Sequence, residues 1–170
     1  MRFLGVNAVF HDPAAALVVD GRTVAAAEEE RFTRRKHGKT PVPFSAWEQP
    51  EQAARWCLRS AGLAPEDLDG VAYSYAPGLV GDHTAAHDPA WESLRTVYAE
   101  RVSNFLTTAL PGLDPASVVH VPHHVAHAAS AALAAPWTDE PGAGADCAVL
   151  VADGRGEDAS HLLGAYRGGS

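Results

Sequence analysis

Asp20 and Gly21 lie between two apolar runs, AAALVVD (14–20) and TVAAA (23–27). An Asp-Gly pair flanked this way is a strong short-range hairpin signal, because the favoured two-residue turn needs a positive φ at both positions. It ties the two runs together as antiparallel strands. RFLGVN (2–7) is a further apolar run just upstream. The chain is therefore expected to open with three strands in a meander.

The rest of the chain reads as alternating helices and strands. PEQAARWCLRSAGL (50–63) has Pro50 suited to a first helical turn, Gly62 suited to its end, and an apolar stripe of Ala53, Ala54, Trp56, Cys57, Leu58 and Ala61. GVAYSYA (70–76) alternates like a strand. Apolar residues at 91, 94, 98, 102, 105 and 109 predict one helix from Trp91 to Leu110, closed by Pro111. SVVHV (117–121) reads as a strand and HHVAHAASAALAA (123–135) as a helix of small residues. After the turn-rich TDEPGAGAD come two more strands, CAVLVAD (147–153) and SHLLGAYR (160–167).

The order β-β-β-α-β-α-β-α, then β-β, predicts an α/β chain. By analogy its class is the ribonuclease-H-like lobe shared by actin, sugar kinases and Hsp70. A weak internal repeat sets the expected domains. Strand, polar turn, strand occurs both near the start and at the end, with Asn7 and Asp153 at the strand ends and Asp12 and Asp158 in the turns. Residues 1–136 are expected to form the first lobe. Residues 137–170 are expected to form a linker and the first two strands of an incomplete second lobe.

Composition excludes several function classes. A formal charge of −8 argues against a nucleic-acid or anionic-membrane surface. The basic cluster RFTRRKHGK (31–39), which follows an acidic triplet, also suits a solvated charge run. Cys57 and Cys147 are isolated, which is reduced, cytoplasmic usage. No apolar stretch reaches the roughly 18 residues that span a bilayer, and the N-terminus lacks a signal-peptide pattern.

HVPHHVAHAAS (120–130) holds four of the nine histidines. His123 and His127, four apart, share one helix face and could present two neutral imidazoles to a divalent metal. Helix capping by His123 or His124, with His127 exposed or in the core, explains the same spacing. No glutamate follows the first histidine, so the zinc-protease pattern is absent. His124 points roughly 100° away from His123. Alanines at 126, 128 and 129 leave room above the helix. In VADGRGED (151–158), Asp153 ends a strand and is a candidate third ligand, while Gly154 and Gly156 would let backbone amides approach a phosphate. An ordinary turn has the same pattern. His11 is a candidate acid/base residue or a plain surface histidine, and Lys36 with His37 could stabilise an anion.

Three stretches in this order resemble the nodulation-protein and antibiotic O-carbamoyltransferases: LGVNAVFHDPAAALVVDGRTVAAAEEERFTRRKHGK, HHVAHAASA and DGRGE. The resemblance covers 2–39 closely and recurs at 119–135 and 149–157. It implies a two-lobed actin-like part, similar to that of the tRNA threonylcarbamoyl transferases, joined to a YrdC-like domain. The YrdC-like part would make carbamoyl adenylate from carbamoyl phosphate and ATP. The actin-like part would pass the carbamoyl group to a hydroxyl of a natural product in secondary metabolism, such as antibiotic biosynthesis. By the same likeness His123, His127 and Asp153 match metal ligands, for Fe(II) with Zn or Mn as substitutes, and His11 and Lys36 match polar residues near the carbamoyl group. The expected partners are the small-molecule acceptor, carbamoyl adenylate, and the missing lobe and YrdC-like domain or another subunit. A homodimer is compatible, and nucleic acid and membrane are not expected. Family members are several times longer, so this polypeptide alone is not expected to make the adenylate. The rival expectations are a non-catalytic lobe that binds metal or a partner, and a tRNA threonylcarbamoyl transferase relative.

Overall fold

The computed structural model describes residues 1–38, 40, 42–81, 88–133, 135 and 146–167. The turn expected over 136–146 lies, apart from Asp146, outside the described residues.

Strands β1 (Arg2–Asn7), β2 (Ala14–Val19) and β3 (Arg22–Glu28) form the expected meander. Asp20 and Gly21 adopt φ of 50° and 79°, and Val19 pairs with Arg22 across them. The hairpin signal at these two residues is fully expressed. The parallel strands β4 (Gly70–Tyr73) and β5 (Val118–His120) extend the sheet on the other side of β1, giving the order β3-β2-β1-β4-β5. Parallel neighbours need crossovers, and helices supply them. After the short α1 (Glu30–Thr33), helix α2 (Glu51–Ser60) leads into β4, and α3 (Pro89–Glu100) and α4 (Val102–Ala109) lead into β5. Helix α5 (His123–Ala132) follows. The result is an α/β domain with a mixed five-stranded sheet.

Successive strand residues face opposite ways. Leu4, Val6, Leu17, Val71 and Tyr73 pack into a core with Ala53, Ala54, Cys57 and Leu58 of α2 and with Val102 and Leu106 of α4. The other face is paved with small residues, Gly5, Ala16, Ala26 and Ala72, and lines a trough of about 1270 Å³. Strands β6 (Cys147–Ala152) and β7 (His161–Tyr166) form a separate antiparallel pair, with Leu150 and Leu163 exposed at 70% and 76%. No helix among the described residues is long and apolar enough to cross a membrane. Both cysteines are free.

Two expectations need correction. Trp56 and Ala61 stand outside the buried stripe of α2; Trp56 sits at the stripe's edge, tilted against Phe32 at 6.3 Å. The helix expected from Trp91 to Leu110 is two helices meeting at Arg101, whose amide bonds back to the Val97 and Tyr98 carbonyls. Trp91 and Leu94 are exposed, and the buried positions of α3 are Glu92, Arg95, Tyr98 and Ala99. Apolar periodicity undervalues a charged residue that is buried because it is paired.

Candidate functional site

Strand β5 ends as the Val121 amide bonds to the Tyr73 carbonyl, at 2.8 Å, and Pro122 turns the chain into α5. Pro122 offers no capping side chain, and His123 and His127 follow on the first two turns. Their rings lie 4.6 Å apart and nearly perpendicular. Asp153, just past β6, meets them from the far hairpin. Its Oδ2 lies 2.9 Å from His123 Nε2 and 3.4 Å from His127 Nε2, and the two Nε2 atoms are 3.2 Å apart.

The second nitrogen of His123 fixes its tautomer. Nδ1 lies 3.1 Å from the Ser74 carbonyl, which can only accept, so Nδ1–H donates. With its proton on Nδ1, the ring presents the lone pair of Nε2 towards a carboxylate oxygen and another imidazole nitrogen. Three electron-rich atoms this close repel unless a cation or a proton lies among them. A ring fixed by a carbonyl through one nitrogen while the other is offered is the usual support of a metal-ligating histidine. Among the described residues these three are the group whose ligand atoms all fall within 4.8 Å of one another. The donor set therefore fits a divalent ion of the imidazole-and-carboxylate class.

Burial opposes ionisation of Asp153, but the Gly154 amide and the neighbouring histidines outweigh it and hold the carboxyl below its ordinary value. The Gly154 amide donates to Asp153 Oδ1 at 2.6 Å, and that of Gly156 donates to the Ala159 carbonyl at 2.7 Å. Both amides expected to face a phosphate are thus engaged locally. Gly156 also serves packing: a Cβ there would stand 2.8 Å from Cε1 of the buried His124 ring. His124 points away from the pair, against this glycine.

A cleft of about 620 Å³ opens beside the cluster, lined among others by Asn7, His11, Ser74 and Arg155. Asn7 and Asp153, the matched strand-end residues of the internal repeat, border the same space. Ala126 lines both this cleft and the apolar trough, and Ala129 lines the trough. His11 is exposed on the cleft wall, with Nδ1 2.7 Å from Asp12 Oδ2; His37 Nδ1 lies 3.0 Å from Asp12 Oδ1. Hydrogen bonds from these two histidines hold the Asp12 carboxyl below its ordinary value. Lys36 is exposed on the turn that carries His37 and does not line the cleft.

Sequence reasoning passed over the supports of the site. Arg155 donates to Glu92 at 2.6 Å, Arg95 donates to the same carboxylate, and both guanidinium groups lie over the Phe10 ring. The i, i+3 spacing of Glu92 and Arg95 is a visible signal for that pair. The Ser74 carbonyl is backbone and leaves no side-chain trace.

A family model described as carbamoyltransferase N-terminus matches residues 2–109. This chain belongs to that carbamoyltransferase family. It is 32% identical over 185 aligned positions to the uncharacterized protein sll1178 of Synechocystis sp., covering 97% of this chain and 27% of that protein. It is 29% identical to nodulation protein NolNO of Sinorhizobium fredii, covering 92% of this chain and 21% of that protein. A probable mitochondrial tRNA N6-adenosine threonylcarbamoyltransferase of Caenorhabditis elegans is 34% identical over 85 residues, 47% of this chain and 20% of that protein. The chain thus spans roughly a quarter of the first two relatives. The family match ends before the histidine pair, whereas those two relatives align across nearly the whole chain.

Proposed function

We propose that this chain is the N-terminal part of an O-carbamoyltransferase that moves a carbamoyl group from carbamoyl adenylate to a hydroxyl of a natural product. Family membership supports the transferase. The convergence of His123 Nε2, His127 Nε2 and an Asp153 carboxylate oxygen on one point carries the site. The strand order, with three antiparallel strands first and two parallel ones outside, supports the ribonuclease-H-like reading. The separate β6–β7 pair with its exposed leucines supports residues 137–170 as the opening of a second lobe. Free cysteines are in keeping with the cytoplasm.

A divalent ion held by these three groups, Fe(II) or otherwise Zn or Mn, would supply positive charge to the phosphate of the departing AMP. The chain's own residues do the rest. Asp12 orients the His11 ring through Nδ1, which leaves Nε2 to accept the proton of the acceptor hydroxyl. The hydroxyl oxygen forms the new bond to the carbamoyl carbon as the bond from that carbon to the AMP oxygen breaks. AMP leaves with the electron pair. Lys36 would steady that anion by extending from the rim of its turn. Gly154 lies on the cleft wall beside the ligand aspartate and gives the adenylate room there. ATP and carbamoyl phosphate enter through the YrdC-like domain or subunit that makes the adenylate.

The Caenorhabditis elegans match favours a second reading, a relative that transfers a threonylcarbamoyl group to tRNA. The formal charge of −8 weighs against an RNA acceptor.

Metal analysis of the purified chain tests the site. Wild type is expected to retain one divalent ion per chain, and His123→Ala and His127→Ala to lose it. Unchanged metal in both variants would sink the proposal. Carbamoyl transfer from supplied carbamoyl adenylate to a small hydroxyl acceptor, and none to tRNA, separates the two readings.

A further inference from the structure

The two ligand histidines and the ligand aspartate come from parts of the fold that share no strand ladder. His123 and His127 are fixed by α5 and the five-stranded sheet. Asp153 belongs to the β6–β7 pair, whose backbone bonds are its own. Something other than the ladder must hold the aspartate against the imidazoles.

Glu157 is placed to do this. It lies four residues after Asp153, in a tight loop closed by the Asp153 amide on the Ser160 carbonyl (2.9 Å) and the Gly156 amide on the Ala159 carbonyl (2.7 Å). Its Oε1 accepts from two backbone amides of the main domain: Ala76 beyond β4 at 2.8 Å, and His123 at 2.9 Å. The second amide belongs to a ligand residue. It is also one of the first-turn donors of α5 that Pro122 cannot cap. The Ser74 carbonyl that fixes the His123 ring lies two residues before Ala76. One carboxylate oxygen thus ties the loop of the third ligand to the frame of the first.

We propose that Glu157 is the positioning residue of the metal centre, a clasp that brings Asp153 into bonding reach of His123 and His127. This rests on the metal reading above. The clasp works through acceptance of two N–H bonds, so an amide oxygen at this position can replace it, whereas a methyl group cannot.

Cobalt(II) titration of the full chain, followed by its visible absorption, reads the ligand geometry. Glu157→Ala is expected to weaken cobalt binding about 10–100-fold, as removal of an outer-shell partner does, and to alter the band shape as Asp153 drifts away. Glu157→Gln is expected to stay within about threefold of wild type with an unaltered spectrum, since its oxygen still accepts both bonds. Amide hydrogen exchange in metal-free protein supplies the second readout: Ala76 and His123 should exchange faster in the alanine variant and not in the glutamine variant. Cobalt affinity and exchange that do not differ between wild type and Glu157→Ala overturn the clasp. Glutamine as damaging as alanine also overturns it, because the clasp needs only an oxygen that accepts both bonds. A wild-type chain that takes up no cobalt retires the metal reading itself. Exchange that still speeds up in its alanine variant then reduces Glu157 to a hairpin anchor.

Discussion

Glu92 shows how much a single charged residue can decide. It is buried on α3 and accepts from Arg95 one turn on and from Arg155 in the site loop. Burial opposes its ionisation, yet the two guanidinium groups prevail and hold the carboxyl below its ordinary value of 4.5. The sign of the pH effect follows. A depressed folded value contributes stability that is fully present above the unfolded-chain value and is lost as pH falls through the folded one. Glu92→Gln should therefore destabilise the protein at pH 7 by about 3 kcal/mol, the low end for breaking a buried pair from one side. The gap between variant and wild type should narrow as pH falls below the unfolded-chain value of about 4.3, and close only once it passes the depressed folded value. Urea unfolding at pH 7 and pH 3.5 measures both; a gap that does not depend on pH would show that Glu92 is not the charged hub described.

At the scale of elements, α2 is capped from a distance. Pro50 precedes it without a capping side chain, and Glu29, at the end of β3, accepts from the Ala53 amide at 2.8 Å and the Gln52 amide at 3.3 Å. Burial raises the Glu29 carboxyl, and the two amides offset part of the rise. A raised folded value means that ionisation costs stability as pH climbs from the unfolded value towards the folded one. Glu29→Ala should lose about 1 kcal/mol, the usual worth of a helix cap. Glu29→Gln keeps the acceptor without the buried charge and should melt no lower than wild type at pH 7. A glutamine variant that melts as low as the alanine variant would contradict this account.

Among the described residues the five-stranded sheet is covered unevenly. Helices α2 and α4 bury one face of the five-stranded sheet, while the opposite face lines the apolar trough between Trp56 and Leu133. Adjacent residues on β3 report the difference, Ala25 buried and Ala26 exposed. Ala25→Asp puts an unpaired carboxylate in the core and should cost about 3 kcal/mol or more. Ala26→Asp should stay within about 0.5 kcal/mol of wild type, the range of ordinary surface changes. Equal losses in urea midpoint would mean that the second face is covered as well.

Much of this was written locally. The Asp20-Gly21 turn, the alternation of β1 and β2, and the single helix face of His123 and His127 depend on residues within one turn or one strand of each other, and short-range sterics settle them. The α3 stripe escapes apolar periodicity because its buried positions include the paired Glu92 and Arg95, and the second partner of Glu92, Arg155, lies far along the chain. The site had the same limit. Spacing put two imidazoles on one side of a helix, but it could not say whether a carboxylate from another sheet would reach them. That depended on Ser74 turning one ring, Gly156 admitting His124, and Glu157 joining the loop to two distant amides. Contacts between residues far apart in the chain leave no periodic trace in it, so only the folded arrangement could settle them.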